Sequence, residues 1–111
     1  MNPEELFSHI THEIPDAKGG KMFGCHCINM LNGKAGAILK DDKLIVKISG
    51  KTLEEAQKLS GVRIFTPMEN RPMNGWYEIP LKHQSDWKKY AEASCAEVAK
   101  LEKKTSKKKS G

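Results

Sequence analysis

The stretch Ala35–Gly36–Ala37–Ile38–Leu39–Lys40–Asp41–Asp42–Lys43–Leu44–Ile45–Val46–Lys47–Ile48–Ser49 decides the fold. In its second half, Leu44, Val46 and Ile48 point one way. Lys43 and Lys47 point the other, with Ile45 between them. That period of two belongs to a strand. Residues 35–40 form a second short apolar run, and Asp41–Asp42 between the two runs is a turn. One step further out, Asn32–Gly33 is the strongest hairpin signal in the chain, because both residues tolerate positive φ. Residues 22–31 lie before it as another strand region. Three strands in a meander follow, with one face to be covered.

The cover comes from the flanks. Asn2–Pro3–Glu4–Glu5 has the form of a helix start: Asn2 can cap, Pro3 suits the first helical position, and Glu5 can complete a capping box. Leu6, Phe7 and Ile10 form the apolar stripe, extended to Ile14, and Pro15–Asp16 stop it. Lys18–Gly19–Gly20 reads as a flexible link. Residues 52–59 predict a short helix with Thr52 and Glu55 as a capping box and Leu53, Ala56 and Leu59 on one side. Gly61 is placed to end it in the left-handed region. So short a helix must be packed to persist.

Residues 62–66 and 76–79 are strand candidates, the second framed by Asn74–Gly75 and Pro80. Between them, residues 67–74 form the longest irregular stretch, with prolines at 67 and 72. Ser85 or Asp86 then starts the longest helix. Trp87, Tyr90, Ala91, Ser94, Cys95, Val98 and Leu101 recur along it at steps of three and four. The expected architecture is α+β: a two-layer sandwich with an antiparallel sheet of about 4–5 strands. An N-terminal helix, a short middle helix and a long C-terminal helix pack it.

The 111 residues are 38% hydrophobic and 30% charged, which suits one globular domain with a modest core. The formal charge is +5, and residues 100–111 alone account for it. Residues 1–99 therefore balance to zero. The expected division is a folded domain over 1–101 and a flexible lysine-rich tail over 102–111. No run approaches the roughly 18 apolar residues that a membrane helix needs. The acidic, proline-bearing start argues against a secretory signal, so a cytoplasmic location is expected. Three cysteines, an odd number, make no disulfide framework there.

Cys25–His26–Cys27 invites a metal or thiol site. In a strand, however, Cys25 and Cys27 face one way and His26 the other. The spacing is neither that of a zinc knuckle nor of a Cys-x-x-Cys redox centre. Cys25 and Cys27 read first as small residues on a packed face. No cofactor and no catalytic residue is expected. Gly50–Lys51–Thr52 precedes a helix but lacks the rest of a phosphate loop and reads as a plain helix start. Arg71, Trp76 and Tyr77 form a candidate binding surface, with Met22 and Gly24 added from the glycine-bearing strand start. Lys103, Lys104, Lys107, Lys108 and Lys109 can attract nucleic acid weakly and without sequence preference.

Met22–Phe23–Gly24, the turns at Asn32–Gly33–Lys34 and Asp41–Asp42–Lys43–Leu44, and the three strands around them form an ordered series. A later run follows: Arg71–Pro72–Met73–Asn74–Gly75–Trp76–Tyr77–Glu78–Ile79–Pro80. In order and spacing these resemble the amino-terminal domain of the TfoX/Sxy family over roughly residues 3–101. The resemblance implies an antiparallel sheet packed by helices, in a single-domain version. Longer relatives carry a second, helical domain. It also implies kinship with bacterial regulators of competence for DNA uptake, whose amino-terminal domain has no established catalytic residues. The Cys–His–Cys run and the lysine tail depart from the family pattern. The expected function is thus non-enzymatic and regulatory, through contact with a protein partner. The alternatives are a nucleic-acid-associated regulator using the tail, and a small metal or thiol site at Cys25 and Cys27.

Overall fold

The computed structural model describes residues 2–22, 24–66 and 71–101; of Met22 only the backbone is described. Helix α1 spans Pro3–Glu13. Strands β1 (Lys18–Met22), β2 (Cys25–Asn29), β3 (Ala35–Lys40) and β4 (Lys43–Lys47) follow. Then come helix α2 (Gly50–Gln57), strands β5 (Arg63–Ile64) and β6 (Trp76–Ile79), a 3₁₀ segment (Leu81–Asp86) and helix α3 (Trp87–Ala99). All strand pairs are antiparallel, in the order β1-β2-β3-β4-β6-β5.

The α+β sandwich is as expected, but the sheet has six strands rather than four or five. The extra strand is β1. Lys18–Gly19–Gly20 is not a link: it pairs with Asn29, Ile28 and Cys27 across the edge of the sheet. A backbone ladder needs no side chains, so glycine does not forbid it. A side chain at residue 20 would meet the end of the Asn29 side chain, which would have to swing aside. The single strand region expected over 22–31 is thereby cut in two. The break falls at Gly24, whose φ of 75° suits a tight reversal.

Helix starts differ in how they are capped. At α1 the capping box forms in full: Glu5 N–H donates to Asn2 Oδ1 (2.8 Å) and Asn2 N–H to Glu5 Oε1 (3.2 Å). At α2 it does not. The helix begins at Gly50, ahead of Thr52, and Ser49 occupies the cap position without a side-chain bond. α2 is held instead by burial of Ala56 and by an ion pair from Glu55 to Lys89 of α3 (2.8 Å).

The main core lies between the helices and one sheet face. Phe7 and Ile10 of α1, Ala56 of α2, and Trp87, Tyr90, Ala91 and Val98 of α3 pack on Ile28, Leu39, Leu44, Val46 and Ile79. The opposite face is covered too, which the lysine-flanked pattern of β4 did not suggest. Cys27, Ile38 and Ile45 are buried there beneath Phe65, with Met73 and Trp76 packed alongside. Phe65, just after β5, and Met73, shortly before β6, supply this lid.

Asn32 does more than turn the chain. Only Gly33 takes positive φ (83°). The Asn32 side-chain amide donates to the carbonyls of Val98 (2.8 Å) and Leu101 (3.1 Å), while its Oδ1 accepts from Lys34 N–H (3.0 Å). It thus ties the β2–β3 turn to the end of α3, sharing the Val98 carbonyl with Leu101 N–H (3.0 Å) and taking up the Leu101 carbonyl just beyond the helix. Asn32→Ala is expected to cost about 1–2 kcal/mol. Urea denaturation would show the loss as a lower midpoint at unchanged slope.

Candidate functional site

The thiols and the imidazole of β2 are separated by the strand itself. Cys27 is buried on the lid side against Ile38, Ile45 and Phe65, and Cys25 packs against the same cluster. His26 is exposed and lies on the other face, with Lys21 as its cross-strand partner. Among the described residues no three His, Cys, Asp or Glu side chains are grouped to hold a metal. The metal-or-thiol alternative gains no support from this arrangement.

The protonation of the thiols points the same way. Burial pushes the Cys27 thiol up, and its S–H donates to Asn29 Oδ1 (3.5 Å). Cys95 is pushed up to about 12, by burial first and by the Glu92 carboxylate second. A thiol held protonated is a poor nucleophile and a poor ligand. Ellman's reagent at pH 8 is expected to leave Cys27 and Cys95 unmodified in the native protein and to modify them in denaturant. The sign of the linked stability follows. The fold retains a proton at Cys95 that the unfolded chain releases near pH 8.5, so stability is full below that and declines as pH rises towards 12.

The other candidate residues divide among three places. Arg71 is exposed, beside exposed Pro72 and Asn74. This segment is clasped to the lid: Met73 N–H donates to Phe65 O (2.8 Å), Phe65 N–H to Trp76 O (2.8 Å), and Trp76 N–H to Met73 O (3.1 Å). Trp76 and Tyr77 are half-buried neighbours in β6 and project to opposite faces. Tyr77 sits opposite Val46, which belongs to the helix side, and Trp76 opposite Lys47. Met22 and Gly24 stand elsewhere, at the hairpin tip by the β3–β4 turn. Trp76 is at the other end of the strands. The tail lysines 103, 104, 107, 108 and 109 lie outside the described residues.

The TfoX N-terminal domain matches residues 9–98. The chain belongs to the TfoX N-terminal domain family. Neither a curated protein nor a solved structure matches it significantly. The matched span runs from α1 through nearly all of α3, so the six-stranded sheet with its helices is this TfoX N-terminal domain. No helix among the described residues is long and apolar enough to cross a membrane.

Two features of the domain escaped sequence reasoning. The first is Ser94, read only as one position on an apolar stripe. It is fully buried, and its hydroxyl bonds to the backbone of both β3 and β4. A hydroxyl on the inner stripe of a long helix was the available signal. The second is a cleft of about 510 Å³ between α1 and the β1–β2 hairpin, bordered by Phe7, Ser8, His12, Gly19, Lys21 and His26. A reading of Lys18–Gly19–Gly20 as a link leaves no sheet edge beneath α1 and hence no cleft.

Proposed function

We propose that this TfoX N-terminal domain is a non-enzymatic regulatory module that works by binding a protein partner, with Arg71 at the centre of the contact. The observation that carries the reading is the clasp among Phe65, Met73 and Trp76. It anchors the chain immediately after an exposed Arg-Pro tip to the buried Phe65. An anchored tip loses less conformational entropy on binding, and arginine is enriched among residues that dominate interfaces. Trp76 and Tyr77 serve this surface from beneath, by fixing β6. A partner that also reached Met22 and Gly24 would have to span the outer face of the sheet. The dispersal of thiols and imidazoles favours binding over catalysis. Cysteines without a disulfide suit the cytoplasmic setting proposed for it.

The test is charge reversal at the tip. Tagged protein is used to recover partners from the native host, and a recovered partner is then titrated against purified variants. Arg71→Glu is expected to weaken binding by at least about tenfold, the size of one lost charge-assisted contact. Lys51→Glu, on the exposed side of α2, should leave binding unchanged. Equal binding by Arg71→Glu and wild type would reject this surface. The lysine tail would add a non-specific hold on nucleic acid that salt weakens.

A further inference from the structure

The cleft under α1 is where the structure assigns a second activity to the fold: we propose that it binds a small organic carboxylate with a short apolar body. This does not rest on the Arg71 surface, which lies on the lid side of the sheet.

The space has a definite cause. On β1, residues 19 and 21 share the helix-facing side with His26 and Ile28 of β2. At Gly36, the other glycine facing a helix, α3 closes the space itself, because a Cβ there would meet Cys95. At Gly19 the face presents no side chain, and a Cβ built there meets no atom within 4 Å. Gly19 does not have positive φ, so glycine is not required there by the backbone. The missing side chain leaves a gap between α1 and the sheet edge. At about 510 Å³ it falls within the usual range for small-molecule sites.

The lining fits an amphipathic anion. Phe7 and Ala17 supply apolar wall. Lys21 and His26 are directly opposed across the β1–β2 ladder, which puts their side chains within reach of a single carboxylate. Neither forms an ion pair or hydrogen bond with any described residue. His12 donates from Nδ1 to the Ser8 carbonyl (2.9 Å), so its Nε2 can donate to a carboxylate only in the imidazolium form. Glu4 is the one carboxylate in the lining, and it lies on α1 while Lys21 lies on the sheet beside His26. A cation site would need a cluster of ligands, and none exists among the described residues.

The experiment uses the full chain labelled with ¹⁵N and titrated with sodium benzoate, followed by amide chemical shifts. Benzoate is expected to shift Ser8, Thr11, Gly19, Lys21 and His26 together and to saturate with a Kd of about 1 mM, reasonable for so small a ligand. Benzyl alcohol, which keeps the ring and lacks the charge, should bind about tenfold more weakly. Inorganic phosphate, charged but without an apolar body, should also be weaker. Lys21→Ala should reduce benzoate affinity by about tenfold while leaving the remaining spectrum in place. Gly19→Val should fill the gap and abolish saturation. Non-saturating shifts with benzoate would overturn the proposal. So would benzyl alcohol or phosphate binding as well as benzoate, or benzoate binding unaltered in Lys21→Ala.

Discussion

Trp87→Ala is expected to destabilise the domain by about 3–5 kcal/mol, a large part of the roughly 5–15 kcal/mol that holds such a domain together. Trp87 is the largest fully buried side chain in the fold. It stands at the first position of α3, just after the 3₁₀ segment, where the chain leaves β6 and turns back over the sheet. Its indole Nε1–H donates to the Pro80 carbonyl (3.1 Å), the residue that follows β6. One side chain therefore fills the core and fixes the angle at which α3 sets out across β3 and β4. Alanine would remove both functions and leave a cavity that the rigid sheet cannot close. Trp87→Phe separates them: it keeps most of the volume and gives up the hydrogen bond, for an expected loss of about 1–2 kcal/mol. Urea denaturation followed by circular dichroism would measure both, with Trp76 as an independent fluorescence reporter. A loss below about 1 kcal/mol for Trp87→Ala would mean that α3 is not anchored at this point.

The elements legible in the sequence are those whose side chains carry the signal. Leu44, Val46 and Ile48 announce β4 by period, and Asn2 and Glu5 announce α1 by cap chemistry. Trp87 to Val98 announce α3 by their helical spacing. The elements that were misread depend on something a periodic pattern does not contain. β1 has no apolar side chain over Lys18–Gly19–Gly20; it exists because β2 offers it a ladder, and its pairing is non-local information. Ile45, between two lysines, looks like a lone apolar residue on a wet face. It is buried because Phe65, twenty residues later, lies over it. The candidate site was legible to the same degree. Opposed faces for His26 and its neighbouring thiols follow from strand geometry alone. The separation of Trp76 from Tyr77 follows equally once β6 is a strand. What could not be read was the position of Gly24 relative to Trp76, because that requires the strand order. Nor could it be read that a glycine beneath α1 opens a cleft, because that requires knowing which helix lies over which strand.

Ser94→Ala is expected to cost about 2–4 kcal/mol, far more than the loss of one oxygen atom suggests, because it strands two buried backbone groups at once. The last regular pair between β3 and β4 at this end is Ala37 with Val46. One step beyond, Gly36 and Lys47 do not bond to each other. Ser94 Oγ stands between them: it accepts from Lys47 N–H (2.7 Å) and donates to the Gly36 carbonyl through a short hydrogen bond. The helix can reach that far into the sheet only because residue 36 is glycine. A Cβ there would lie 2.6 Å from Cys95 Sγ and 3.2 Å from Cys95 Cα, and the second of these is backbone that cannot swing aside. Gly36 and Ser94 are therefore one device, in which close approach is the condition for the hydrogen bonds. Gly36→Ala should push α3 outward and break the same two bonds, so the double variant should cost clearly less than the two single losses together. Native-state hydrogen exchange provides the local readout. The Lys47 amide should lose protection in Ser94→Ala by more than the global fall in stability, whereas Val46, bonded within the ladder, should follow the global change only. A Lys47 amide that keeps its protection would show that the serine is not its partner, and that α3 rests on the sheet by apolar packing alone.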